Sequence, residues 1–545
     1  MLRKPMASLW PVFVVAGLWA CGDAERPPTA RRPEPAKPVL RLILLNDLEG
    51  TLEPCGCQTR PLGGIDRAAG AIERLAADGT PQLLLSVGQL FSARGAHAGA
   101  DEHAEAAAKA LAEADAAQRR AGAQTLAEAL SRMGLYAIAP AAEELNSDRE
   151  ALVALSQRAG AQLLGAGPGA QPGEADADRR ILERGGLRIG IFGLVSDEAA
   201  PNPVDLRGPA RTLASELKRE GAQVVVAMVS GGLRQARRIA DGVAEVDFVI
   251  HGGVAGSELA VPEAVGSSTL LRAGRHGEAL IAVDLHWRGT EHGPFVDHSA
   301  WSRTARRENL ERSTGELQQR IDAWAQKSDV DAAELERQRV RLKAMRDELK
   351  KDQDPSAPPA GNYFSARSIE IDPKVEPSKA VAELLDAHDA RVNAHNRQAL
   401  AAIAPSPVPP GSAGYAGSEA CGRCHQPALG WWKAHPHGRA YATLEARNKQ
   451  FNLECVACHV TGYGKPGGAA VVQNEGLRNV GCESCHGPAS QHIADPKAAG
   501  LVRREVPETT CVGCHNEEHS DRFEYQAFRS MLMVPGHGKP VPEGG

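Results

Sequence analysis

The sequence predicts an α/β N-terminal domain, a helical hairpin spacer and a mostly α-helical or irregular C-terminal domain rich in Cys and His. Three observations predict this. Between Val39 and Leu285, short apolar runs alternate with Ala-rich amphipathic stretches, the pattern of strands separated by helices. Between Asn309 and Lys351, apolar residues recur at helical spacings among many charges. Eight of the 11 Cys then fall between positions 421 and 514.

A chain of 545 residues exceeds what one ordinary core can organise, so more than one domain is expected. Its apolar fraction of 42% and charged fraction of 24% are those of globular protein. With aromatics at 4%, packing must lean on Ala, Val and Leu. A net charge of −6 argues against a general nucleic-acid binder.

Residues 1–20 read as an export signal. Arg3 and Lys4 precede an apolar run from Ala7 to Ala20, too short to span a bilayer, that ends in Leu18-Trp19-Ala20-Cys21. This resembles a bacterial lipoprotein signal, which implies acylation of Cys21 and a lipid anchor on an exported protein. Residues 21–38 are rich in Pro, Arg and Ala and read as a flexible tether, since they cannot bury a core.

Within the α/β region, 39–300, strands are expected at Val39 to Asn46, Leu83 to Val87, Leu187 to Val195, Val224 to Val229, Val246 to His251 and Ala279 to Leu285. Helices are expected at Asp66 to Ala77, Ala104 to Ala117, Ala123 to Met133 and Pro209 to Glu220. Residues 301–352 form the hairpin: Leu310, Leu317, Ile321 and Trp324 face Leu335, Leu342, Met345 and Leu349. Residues 353–411 connect onward through a strand at Tyr363 to Ile371, a helix at Lys379 to Ile403 and a Pro-rich linker. The last domain spans 412–545.

That domain carries Cys421-Gly-Arg-Cys424-His425, Cys455-Val-Ala-Cys458-His459, Cys482-Glu-Ser-Cys485-His486 and Cys511-Val-Gly-Cys514-His515. Two thiols three positions apart can each add to a vinyl group on one haem edge, and the following His then lies under the iron. Zinc ribbons share the C-x-x-C spacing but need no His after every second Cys. Disulfides fail on the same ground. Four covalently bound haems c are therefore expected, with His425, His459, His486 and His515 as proximal iron ligands.

The sequence around these motifs, with His437-Gly-Arg-Ala, Thr461-Gly-Tyr-Gly and Cys485-His-Gly-Pro, resembles the tetrahaem cytochrome c-554-type family over about residues 412–540. The resemblance implies distal iron ligands at His437, His492 and His537. His519 is a weaker candidate, and His435 an exposed neighbour. It also implies a choice. A six-coordinate iron favours electron transfer, whereas an iron with an open position binds small molecules.

The order of pieces in the α/β domain resembles the calcineurin-like metallophosphoesterases, in their 5'-nucleotidase branch, and implies a two-sheet sandwich. Their dinuclear chemistry needs carboxylate and imidazole ligands, and here only Asp47 matches. Glu49 stands at the first His position, Gln89 at the bridging Asp, Ala141, Ala142 and Glu143 at the Asn-His-Glu stretch, and Gly231, Gly253 and Ala255 at later His positions. His251 is displaced from its place. The fold is expected without a dinuclear metal and without phosphoesterase activity. Glu53-Pro-Cys55-Gly-Cys57 follows the first strand, and Cys55 and Cys57 are read three ways: a disulfide or redox pair, a soft-metal site, or inert thiols.

The expected function is electron transfer by an exported, lipid-anchored tetrahaem cytochrome working between redox partner proteins. The rivals are an oxidoreductase acting on a small nitrogen or sulfur compound at an open haem, and a nucleotidase-type hydrolase tethered to a cytochrome.

Overall fold

The computed structural model describes residues 37–54, 60–92, 105–165, 179–196, 204–253, 260–290, 293–325, 331–351, 358–516, 519–520, 522–532 and 534. Thirteen strands among them form two sheets. In chain order they are β1 Leu40–Leu44, β2 Gln82–Gly88, β3 Leu135–Pro140, β4 Gln162–Leu163, β5 Arg179–Arg184, β6 Leu187–Val195, β7 Val224–Ser230, β8 Phe248–Gly252, β9 Ala260–Val265, β10 Ser268–Arg272, β11 Ala279–His286, β12 Val296–Asp297 and β13 Tyr363–Glu370. One sheet runs β12-β13-β11-β1-β2-β3-β4 and the other β5-β6-β7-β8-β10-β9.

The two sheets pack face to face. Leu40, Leu42, Leu44, Leu83, Leu85, Ile189, Ile191, Val224, Val226, Phe248, Ile250, Ile281 and Val283 fill the space between them, all fully buried. Strict alternation decides this, because period-two side chains send one set inward and the next outward. On the outer face of the first sheet, Ile43, Leu84 and Ile138 pack under α1 (Ile65–Ala76), α2 (Glu105–Arg132), α3 (Ala142–Ser147), α4 (Arg149–Arg158) and α9 (Lys379–Ala399). On the second sheet, Phe192, Val225 and Val249 pack under α5 (Arg207–Arg219) and α6 (Leu233–Gly242). The result is a four-layer α/β sandwich.

Arg41 departs from the pattern. It is 2% exposed within β1 and lies opposite Asp284 of β11 in register, its guanidinium 2.5 Å from that carboxylate and 2.8 Å from Asp78. Arg367 on β13 reaches the same Asp284 at 2.7 Å. A buried carboxylate is tolerable here because two guanidinium groups share it.

The predicted pair of helices before β3 is one helix of 28 residues, α2. Gly122, where a break was expected, faces open space; Ala-rich turns on both sides carry the helix through at a cost of about 1 kcal/mol. The hairpin forms from α7 (Ala300–Ala325) and α8 (Ala332–Lys351) around Leu317, Ile321 and Leu342. Beyond it, β13 lies inside the first sheet between β12 and β11, and α9 packs on α1 and α2 through Val381, Leu384 and Leu385.

The last domain is built differently. Its helices are short: α10 Ser418–Gly422, α11 Gln426–Ala434, α12 Ala440–Glu445, α13 Leu453–His459, α14 Cys482–His486, α15 Ser490–Ala494, α16 Glu508–Cys511 and α17 Tyr525–Met531. Its apolar cluster of Tyr441, Val456, Val460, Ala469 and Val471 continues into Ala114 of α2 and Leu400 just past α9. Polar contacts reinforce that seam. Asn396 Nδ2 donates to Gln118 Oε1 at 2.8 Å and to the Phe451 carbonyl at 3.0 Å, and Gln118 Nε2 donates to Asn452 Oδ1 at 3.1 Å.

Candidate functional site

The second and third C-x-x-C-H runs lie within α13 and α14. The first and fourth continue from the ends of α10 and α16 as turns closed by His425 N–H to the Cys421 carbonyl and His515 N–H to the Cys511 carbonyl. Asn452 caps α13, its side-chain oxygen accepting from Glu454 N–H. The turn brings the two Cys and the His of one motif to one side, since residues three and four apart share a helix face. The motifs are also close to each other. The Cys482 N–H donates to Ser418 Oγ at 3.2 Å, so the first and third motifs adjoin, and their neighbouring thiols raise Cys421 and lower Cys482 to about 6. Burial raises the Cys485 thiol to about 11, with Cys511 of the fourth motif contributing.

The motif imidazoles are aimed by their second nitrogen. His459 Nδ1 lies 2.6 Å from the Ala440 carbonyl, and His486 Nδ1 lies 2.6 Å from the Arg503 carbonyl. A carbonyl only accepts, so both rings carry their proton on Nδ1, leaving Nε2 as the lone-pair donor. His515 Nδ1 pairs with Ser520 Oγ at 3.1 Å. His425 is exposed at the start of α11. This outer-sphere fixing is what a metal-ligating imidazole requires.

His437 comes to the fourth motif. Its ring centroid lies 6.0 Å from that of His515, with ring planes at 74°. Two imidazoles on opposite sides of one metal, each about 2 Å from it, have about this spacing. His437 Nδ1 is buried with no hydrogen-bond partner. Burial, with His435 and His515 adding, pushes its pKa down to about 4. A buried neutral imidazole with an orphaned nitrogen fits a metal ligand. The donor set therefore suits haem.

His435 is not the exposed neighbour expected. It stacks on Trp431 at 4.9 Å and Trp432 at 5.3 Å, and Trp432 also stacks on His437 at 5.6 Å. On the other flank Phe523 stacks on His515 at 5.1 Å. His492 stands half-buried on α15, and no ring contact joins it to a motif histidine among the described residues. The His519 backbone N–H donates to Asn516 Oδ1. Cys21, Cys55, Cys57 and His537 lie outside the described residues.

Two residues that sequence reasoning missed hold this arrangement. Glu483, inside the third motif, is 2% exposed. Its carboxylate accepts N–H bonds from Ala416, Gly417 and Ala489 at 2.8–3.1 Å, tying the approach to the first motif onto the third. Asn479 holds a left-handed backbone, φ 73°, and binds the Tyr441 N–H at 2.9 Å. The positions between the two Cys are unconstrained by haem attachment, so nothing in the motif signals Glu483.

In the α/β domain, Asp47 is 1% exposed. Its carboxylate accepts from Gln89 N–H at 3.0 Å and from Gly253 N–H with both oxygens at 3.1 Å, joining the two sheets. The strand ends close tightly on it: a Cβ on Gly88 would fall 2.0 Å from Asp47 Oδ1. Glu144 is likewise spent on Leu90 and Phe91 N–H at 3.1 and 2.6 Å, and His251 Nε2 on the Gly231 carbonyl at 2.6 Å. Glu49 lies 3.3 Å from His276 Nε2. No group of three or more His, Cys, Asp or Glu able to hold a metal occurs among the described residues.

Parts of this chain are similar to known proteins. The family described as cytochrome c554 and c-prime matches residues 420–487. Cytochrome c-554 of Nitrosomonas europaea is 31% identical over 119 residues, 19% of this chain and 47% of that protein; the chain thus spans about half the length of this curated relative. Among solved structures, a 5'-nucleotidase precursor from Thermus thermophilus is similar over 65% of this chain and 59% of its own, at 14% identity and a TM-score of 0.41. The NAD nucleotidase of Haemophilus influenzae is similar over 45% of this chain and 52% of its own, at 15% identity and a TM-score of 0.36. The C-terminal domain of this chain is cytochrome c554-like, and it is fused to a large N-terminal α/β sandwich.

Proposed function

We propose that this chain is an exported, lipid-anchored electron carrier whose C-terminal domain binds four haems c and passes single electrons between redox partner proteins. The observation that carries the reading is the state of the histidines. His459 and His486 each commit Nδ1 to a backbone carbonyl and His515 pairs Nδ1 with the Ser520 hydroxyl, while His437 faces His515 with an orphaned nitrogen. Bound haem supplies a one-electron couple. The chain's own groups would hold it: the eight Cys of the four motifs by thioethers, and His425, His459, His486, His515 and His437 as iron ligands. His492 and His537 are the further distal candidates, and Cys21 is the lipid attachment point.

The α/β sandwich acts in this reading as a scaffold for the haem domain. Asp47, Glu144 and His251 are engaged by backbone groups at the strand ends where a phosphoesterase would present metal ligands.

A haem assay on protein matured in a c-type-competent host is expected to give four haems per chain. In His437→Ala, one of the four should turn from low-spin to high-spin and gain carbon monoxide binding. Fewer than four haems, or an unchanged His437→Ala spectrum, would refute the assignment. Strong carbon monoxide binding by the unaltered ferrous protein would favour the small-molecule enzyme instead. Phosphate release from nucleotides with added manganese would restore the hydrolase.

A further inference from the structure

We propose that Asn479 is a positioning residue that sets the reduction potential of the iron ligated by His459, acting through one peptide group. The juxtaposition is specific. His459 Nδ1–H donates to the Ala440 carbonyl at 2.6 Å. The N–H of that same peptide unit belongs to Tyr441, and it donates to Asn479 Oδ1 at 2.9 Å. The Ala440–Tyr441 peptide is thus polarised from both sides, amide acceptor behind and imidazole donor in front.

An acceptor on a peptide N–H draws positive charge toward itself and leaves the carbonyl oxygen more negative, strengthening the next bond in the chain by about 10–30%. A stronger acceptor on Nδ1–H gives the imidazole more anionic character and makes Nε2 a better electron donor to its metal. Donation stabilises the oxidised iron and lowers the potential. His515, by contrast, ends on a Ser520 hydroxyl at 3.1 Å.

Asn479 is itself held in place. Its N–H donates to the His459 carbonyl at 3.0 Å, and its own carbonyl accepts from Thr461 Oγ1 at 2.9 Å. Its left-handed φ of 73° is a conformation that Asn and Gly tolerate and most residues do not. The next residue, Val480, accepts from Trp432 Nε1 at 2.8 Å and donates to the His437 carbonyl at 3.1 Å. The third motif begins two residues further on. The side chain of Asn479 therefore meets the peptide that His459 Nδ1 binds, while the next residue is braced beside His437 and the third motif.

The inference rests on the haem reading above, and its test separates the two. Asn479→Gly keeps the backbone conformation and removes the amide acceptor; Asn479→Asp keeps an acceptor and strengthens it. Spectroelectrochemical titration of the full, haem-loaded chain is expected to show one midpoint raised in Asn479→Gly and lowered in Asn479→Asp, with the others unmoved. In the reduced protein, the His459 Nδ1 proton resonance should move upfield in Asn479→Gly. A purely structural role would shift several midpoints or move both variants in the same direction, and either result overturns the proposal, as does an unchanged Asn479→Gly titration. Haem stoichiometry on the same samples checks the underlying reading independently, since fewer than four haems in the unaltered chain would refute that reading whatever Asn479 does.

Discussion

Lys449 of the cytochrome domain reaches Asp389 on α9 at 3.2 Å, with the two side chains 15% and 13% exposed. The same ammonium also pairs with Glu53, in the loop after β1. This triad fastens the haem domain to α9 and to the loop after β1, while Gln118 ties it to α2. Removing one partner of a buried pair leaves an uncompensated charge. Lys449→Met is expected to lower stability by about 3 kcal/mol and to make the segment before the first motif more sensitive to limited proteolysis. A urea midpoint within error of the unaltered protein would show that the seam is held by its apolar contacts alone.

One ammonium between two carboxylates leaves an excess of negative charge. Burial, with Asp386 adding and Arg447 opposing, pushes Asp389 up to about 7. A carboxyl held above its ordinary value gains a proton on folding, so its contribution to stability is greatest at low pH and is lost as pH rises through about 7. The protein should therefore become more stable as pH falls from about 7 towards 4, and Asp389→Asn should flatten that slope. Thermal unfolding across this range in both proteins tests it; parallel slopes would assign the dependence to other groups.

Much of this architecture was legible in the sequence because its strands are fully buried and apolar. Val224–Ser230 is apolar up to its last residue, and Leu187–Val195 is interrupted only by Arg188 and two glycines, a signal that survives without tertiary knowledge. The edge elements were not legible. Ala260–Val265 and Ser268–Arg272 form an antiparallel pair around Gly266, but Pro262 and Glu263 break the apolar pattern. The C-x-x-C-H motifs were plain since their spacing is imposed by covalent chemistry. What positions them was hidden, because Glu483, Asn479 and Trp432 act across 38 to 66 residues of sequence and no local pattern encodes such partners.

Asp47 was the one phosphoesterase ligand that the sequence retained, and the structure gives it a structural duty. It receives backbone N–H bonds from Gln89 and Gly253 on different sheets. Asp47→Ala would strand both donors in a buried site, at about 1–3 kcal/mol, and would add the cost of a left-handed Ala at φ 46°. A loss of about 3 kcal/mol in unfolding free energy is expected, with haem content and redox titration unchanged. Loss of metal-dependent phosphatase activity in this variant, with stability intact, would reverse the interpretation and return Asp47 to catalysis.

Glu483 makes the corresponding prediction for the haem domain. Three backbone N–H groups converge on its carboxylate, and each charge-assisted bond is worth about 1.5–3 kcal/mol. Glu483→Gln keeps shape and volume but turns one accepting oxygen into a donor facing N–H groups. At least one donor among Ala416, Gly417 and Ala489 is then left unpaired in a buried site. The Ala416–Gly417 approach to Cys421 would loosen from Cys482, so attachment at the first and third motifs should suffer together while the second is spared. The expected result is a chain that carries fewer than its full set of haems, missing them at Cys421–Cys424 and Cys482–Cys485 when haem peptides are mapped by mass spectrometry. Full occupancy at both motifs, with stability lowered by less than about 0.5 kcal/mol, would mean that Glu483 merely fills space between them.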